Sequence, residues 1–122
     1  MKITKIISDN EGITSFQDIE IPLESSGKIG KLSKRFPVKE IIFRETDSDY
    51  NYDWHNAPEK QFILILKGGV EIITGDGKKR VFQGGDILLV EDTCGKGHIS
   101  KAFNNQRRKS VFVTVDEEKF KL

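Results

Sequence analysis

The stretch LKGGVEIITGDGKKRVFQGGDILLV, Leu66 to Val90, decides the fold. Two glycine pairs, Gly68-Gly69 and Gly84-Gly85, each open onto a short apolar run, Val70 to Thr74 and Asp86 to Val90. Runs this short, bounded by glycine, read as strands rather than helices. Between them the segment GDGKK supplies a hairpin turn of the Asp-Gly type, which suits the positive φ angles that a tight reversal needs. Arg80-Val81-Phe82 continues on the far side of that turn, and Phe62 to Leu66 is a continuous apolar run on the near side of the first glycine pair.

The same pattern extends outward. Ile13 to Leu23 alternates loosely, with Pro22 marking an edge; Ile41-Ile42-Phe43 is a short apolar run after Pro37; His98 to Phe103 and Ser110 to Val115 complete the strands. Asp47 to Asp53 (DSDYNYD) reads as a polar loop, and Asp116 to Leu122 either makes one helical turn or frays. Helical periodicity is poor throughout. Many short strands with regular turns predict an all-β sandwich or closed barrel.

Composition narrows the function. A chain of 122 residues is the size of one domain. Charged residues make up 32% with a net charge of +1, which argues against a dedicated nucleic-acid binder. The run Arg107-Arg108-Lys109 reads as a solvated turn, with a phosphate contact as the alternative. The single cysteine, Cys94, has no internal disulfide partner, and this favours a reducing cytoplasm. Cys94 itself reads as an inert thiol. No apolar run approaches the roughly 20 residues of a membrane span, and the N-terminal residues lack the apolar core of a signal peptide.

The two histidines, His55 and His98, flank this strand-rich region. His55, Asn56, Ala57 and Pro58, followed by Gln61, FILILK and Gly68, resemble the first motif of the cupins. Gly84 to His98, GGDILLVEDTCGKGH, resembles the second. The resemblance covers about residues 40–115 and implies a double-stranded β-helix, the cupin jelly-roll barrel, with a pocket inside. It places N-terminal strands in 1–36 and a short tail in 116–122 of a single domain, 1–122. The family's metal ligands are two histidines, a glutamate and a last histidine. His55 and His98 match the first and the last; Ala57 and Gln61 stand at the other two positions. The implied ligand set is therefore His55, His98 and Gln61 around a weakly held divalent metal, or a metal-free polar pocket. A neutral amide oxygen compensates no metal charge. Asp53, Glu91 and Asp92 are the nearby carboxylates.

Strand parity predicts the rest of the lining. Gln61, Ile63 and Ile65 share a face, as do His98 and Ser100, and Arg44 shares one with Ile42. Trp54 reads as packing at the barrel rim or as a stacking platform for a ligand. In the turn EDTCG, Glu91, Asp92 and Thr93 face the ligand on this reading. Glu91 or Asp92 is a candidate base beside His98; for Asp92 and Thr93 the alternative is a role in shaping the turn. Gly95 and Gly97 supply positive φ for a tight loop, or with Lys96 an anion-accepting nest.

These residues predict a protein that binds a small polar metabolite. The first expectation is an enzyme of isomerase, epimerase or lyase type with His55 and His98 as acid and base. The second is a non-catalytic ligand-binding or sensing barrel for a sugar or organic acid, and the third a structural module. Neither nucleic acid nor membrane is an expected partner. A homodimer is expected, with the strands between Ile3 and Leu23 covering a partner's sheet.

Overall fold

The computed structural model describes residues 1–122. Twelve strands form in chain order: β1 (Lys2–Ser8), β2 (Thr14–Glu20), β3 (Glu24–Ser25), β4 (Lys31–Leu32), β5 (Val38–Thr46), β6 (Asn51–His55), β7 (Gln61–Lys67), β8 (Gly69–Ile73), β9 (Lys79–Gln83), β10 (Ile87–Val90), β11 (His98–Ala102) and β12 (Arg108–Val115). A six-stranded sheet runs β2-β1-β10-β7-β12-β5, and a four-stranded sheet runs β6-β11-β8-β9; β3 and β4 make a small separate hairpin. The all-β double-stranded β-helix is the observed fold class.

Apolar burial on two faces explains why β7 and β10 read as continuous hydrophobic runs. Leu88 and Leu89 are neighbours in sequence, point to opposite faces, and are both fully buried. Leu88 joins Ile6, Ile65, Val70, Ile72 and Phe82 in a core between the two sheets. Leu89 joins Ile3, Val115 and Phe120 on the outer face of the larger sheet, where Phe36 and Phe62 pack against them. The tail does not fray: a single turn closes through the Phe120 amide donating to Asp116 O (2.7 Å), and Phe120 is buried.

The N-terminal strands lie within their own chain's sheet, with β1 parallel to β10 and β2 antiparallel to β1. They bury Ile3 and Ile6 there, and β2 stands at one edge of the six-stranded sheet, with β5 at the other. Asp47 to Asp53 is not all loop, because β6 begins at Asn51 and pairs with β11. Ile41-Ile42-Phe43 lies on β5, as a strand at the sheet's edge, and Phe43 is 78% exposed.

Two close approaches fix the chain around the cavity. Gly97 has φ +76°, and a Cβ there would lie 2.1 Å from His55 O. Gly68 has φ +80°, and its Cβ would lie 2.2 Å from Arg107 O. Only glycine fits either place. The first lets the turn before His98 lie against His55; the second lets the chain entering β12 cross the β7–β8 turn. The β1–β2 hairpin clamps the same turn before His98. Thr14 Oγ1 donates to Gly97 O (2.6 Å), the Lys96 amide to Gly12 O (2.8 Å), and Ser8 Oγ to Cys94 O (3.1 Å).

Candidate functional site

A cavity of about 380 Å³ opens between the two sheets. That volume corresponds to roughly a dozen water molecules and is at the small end of metabolite sites. Its aliphatic walls are Ile63 on β7, Leu88 and Val90 on β10, and Val70 and Ile72 on β8, with Phe112 of β12 added. The polar groups come from five strands: Arg44, Tyr52 and His55, Gln61, His98 and Ser100, and Arg108; Tyr50, just before β6, adds a phenol.

Pairing explains how the histidines meet. β6 and β11 are antiparallel, with His98 opposite His55 and Ser100 opposite Tyr52. Two steps along β11 correspond to three along β6, so β6 carries an extra residue at a bulge. The bulge lets both Tyr52 and His55 face the cavity although they are three apart. The rings of Tyr52 and His55 stack at 3.6 Å between centroids, and those of His55 and His98 sit 4.4 Å apart.

Each imidazole is oriented through Nδ1. That of His98 donates to Asp92 Oδ2 at 2.5 Å, and both residues are buried. That of His55 donates to the Asp53 carbonyl at 2.7 Å. A carbonyl oxygen only accepts, so the His55 proton resides on Nδ1 and Nε2 keeps its lone pair. Burial is the main cause that holds the His55 pKa below its ordinary 6.5, with the His98 and Arg44 charges acting in the same direction; the bond to Asp53 opposes them. Asp92 is held by the chain as well: its carbonyl accepts from the Ala57 amide (3.1 Å) and from Asn56 Nδ2 (3.3 Å).

The other end of the cavity is cationic. Arg108 is 4% exposed, makes no ion pair, and its Nε has no hydrogen-bond partner in the protein. Its Cζ lies 4.9 Å from the Tyr50 ring centroid, and that of Arg44 lies 5.1 Å from the same centroid. Arg44 also sits 5.0 Å from the Phe112 ring. Tyr50 Oη and Ser100 Oγ share a hydrogen bond of 2.8 Å. Burial, and then the charge of Arg44, push the Arg108 pKa down; Tyr50 offsets part of this.

The structure brings Arg44, His55, Gln61, Ile63, His98 and Ser100 to one cavity. Ile65 faces the same core, but Ile42 on β5 is 45% exposed and does not line the cavity. Glu91, Asp92 and Thr93, expected to face the ligand, do not line the cavity, and neither does Trp54. Trp54 points outward beyond the bulge, 40% exposed, with Lys96 Nζ 4.5 Å from its ring. Glu91 is turned away by Lys60 (2.8 Å) and Lys5 (3.3 Å). Asp92, not Glu91, partners His98, and it orients the ring from behind. Arg108 corrects the reading of Arg107-Arg108-Lys109 as a solvated turn, for only its two neighbours are exposed. Gly95 and Gly97 both adopt positive φ, as the loop reading expected, and Cys94 is an exposed free thiol.

The side chains present do not fit the divalent metal that the motif resemblance implies. No three His, Cys, Asp or Glu side chains converge. The one carboxylate beside the imidazoles is engaged with His98, Gln61 offers a neutral amide, and two guanidiniums face the same space. Such a field repels a dication.

No protein-family model and no curated protein matches the sequence. Solved structures do match the fold. A Cupin 2 conserved barrel domain protein from Salinispora arenicola aligns with TM-score 0.51 and 16% identity over 65% of this chain and 64% of that one, under two thirds of its length. A conserved Streptococcus pyogenes protein of unknown function aligns with TM-score 0.49 and 21% identity over 69% of this chain and 68% of that one. A Cupin 2 barrel protein from Leptotrichia buccalis aligns at 0.47 and 13% over 95% of this chain and 41% of that one. No helix of the protein is long and apolar enough to cross a membrane. With its two facing sheets, its internal cavity and the Salinispora alignment, the chain has the cupin fold.

Proposed function

We propose that this barrel binds a small polar metabolite and moves a proton on it, in chemistry of the isomerase, epimerase or lyase type. One observation carries the reading: two imidazoles 4.4 Å apart in a walled cavity, each with Nδ1 tied to an oxygen and Nε2 left for a ligand. His98 is the better base, since Asp92 stabilises the imidazolium formed when Nε2 takes a proton from a substrate carbon. Neutral His55 accepts a hydrogen bond from a substrate hydroxyl or acts as the second base. Returning the proton at the neighbouring position completes an isomerisation with no net gain or loss of hydrogen. The test is solvent exchange: small hydroxy acids, keto acids and sugars are incubated with the protein in D₂O and followed by proton NMR. Deuterium incorporation that disappears in His98→Gln supports the reading.

The second reading is a non-catalytic binding or sensing barrel, favoured by the mismatch between this donor set and a metal. A ligand that binds with neither exchange nor turnover selects it. A homodimer also belongs to the proposal. β5 is a free edge with Ile41, Ile42 and Phe43 exposed, a pairing liability unless covered. A monomer mass by light scattering at micromolar concentration rejects it.

A further inference from the structure

We infer that the ligand is a small organic acid whose carboxylate is held at the Arg44–Arg108 end of the cavity, with its reacting carbons toward the histidines. The inference rests on the small-molecule reading above and specifies its ligand class.

Charge is the first argument. Two guanidiniums face the cavity, neither makes an ion pair, and the one acid nearby is Asp92, behind His98. Counted formally with neutral imidazoles, the site holds one positive charge in excess. One carboxylate neutralises it; a dianion overshoots. The protein leaves Arg108 buried with this charge uncompensated, an expensive arrangement that a bound anion relieves.

Hydrogen bonding is the second argument. Arg108 Nε, on a residue that lines the cavity, is a buried donor without a partner. The guanidinium fork matches a carboxylate in two parallel bonds, a geometry in which arginine excels over lysine. Tyr50 lies against both guanidiniums and positions them, and of the hydrogen-bonded pair Tyr50 Oη and Ser100 Oγ one hydroxyl keeps its proton as a further donor. Size is the third argument. A cavity of about 380 Å³ admits an acid of four to six carbons, with its chain along Ile63 and Leu88.

The test is thermal unfolding of the full chain at constant ionic strength with matched probes: propionate against propionamide, D-glucuronate against D-glucose, and inorganic phosphate. The carboxylates are expected to raise Tm by roughly 3–6 °C once they exceed Kd by about tenfold, and their neutral counterparts by far less. The rise is expected to vanish in Arg108→Met, shrink in Arg108→Lys, which keeps charge but loses the fork, and persist in Arg107→Met, which removes the same charge from the exposed neighbour. Circular dichroism of each variant confirms that it is folded. A carboxylate rise that persists in Arg108→Met overturns the inference, as does phosphate stabilising where carboxylates do not. Glucose binding as well as glucuronate sinks the anion end but leaves the small-molecule site standing. If no probe stabilises any variant, the anion end falls; the proton-transfer reading is then decided separately by the exchange experiment.

Discussion

Arg108→Met is expected to make the protein more stable. In the folded state the guanidinium is 4% exposed, without an ion pair, and with Nε lacking a partner. An unsatisfied buried polar group costs about 1–3 kcal/mol. The second charge adds to this. Arg44 and Arg108 each lie within about 5 Å of one Tyr50 ring centroid, so their Cζ atoms are no more than about 10 Å apart. At an effective dielectric constant of about 20 the repulsion at that separation is ~1.7 kcal/mol, and less after solvent screening at the half-buried Arg44. Against these stands the lost cation–π contact with Tyr50, worth about 1 kcal/mol. Methionine retains most of the apolar stem. The balance is a gain of about 1–2 kcal/mol, or a Tm higher by roughly 3–8 °C. Urea denaturation followed by circular dichroism measures it, with the slope m checked for constancy. A loss of more than about 1 kcal/mol refutes the reasoning, since Arg108 would then be a structural residue whose charge the fold already compensates.

Gly97→Ala is expected to destabilise by about 3 kcal/mol or more, because the new Cβ meets His55 O at 2.1 Å and the backbone keeps φ +76°; urea melts check this, and a loss below about 1 kcal/mol would show that the turn can move. Phe120→Ala should cost about 3–5 kcal/mol through the cavity left on the outer face; an unchanged midpoint would mean the tail does not hold that core. For pH, the folded-state pKa of His55 lies below its ordinary 6.5, so the unfolded chain takes up this proton first. Its contribution is intact above about pH 6.5 and declines as pH falls through that value toward the folded pKa. His55→Gln should flatten this part of the stability profile, and an unchanged slope counts against the burial of the ring. Asp18 and Asp76, whose pKa values are lowered chiefly by the hydroxyls of Thr4 and Thr74, lose their contributions only below their ordinary 3.8.

The barrel was legible because its signals are local. Paired glycines before apolar runs and an Asp-Gly turn specify β8, β9 and β10 whatever the rest of the chain does. His55 and His98 stood out because the chain has no other histidines. Arg108 was hidden by composition: between Arg107 and Lys109 it looks like part of a solvated run. Alternation offered a signal, since Arg108 and Phe112 share strand parity and the same cavity. Tyr50 and Tyr52 were masked by the polar residues among them. The extra residue in β6, which lets Tyr52 and His55 share the cavity, becomes visible only when its register with β11 is known. Glu91 and Asp92 are neighbours of similar chemistry; tertiary contacts with Lys5 and Lys60 on one side and His98 on the other decide between them.

The clamp of the β1–β2 hairpin on the turn before His98 has a practical consequence. Gly12 and Thr14, outside the cavity lining, hold the backbone that carries His98. Trimming the first twenty residues, or fusing a bulky tag tightly against them, therefore disturbs the candidate site from outside. A preparation made that way that binds nothing would say little about the cavity of the intact molecule.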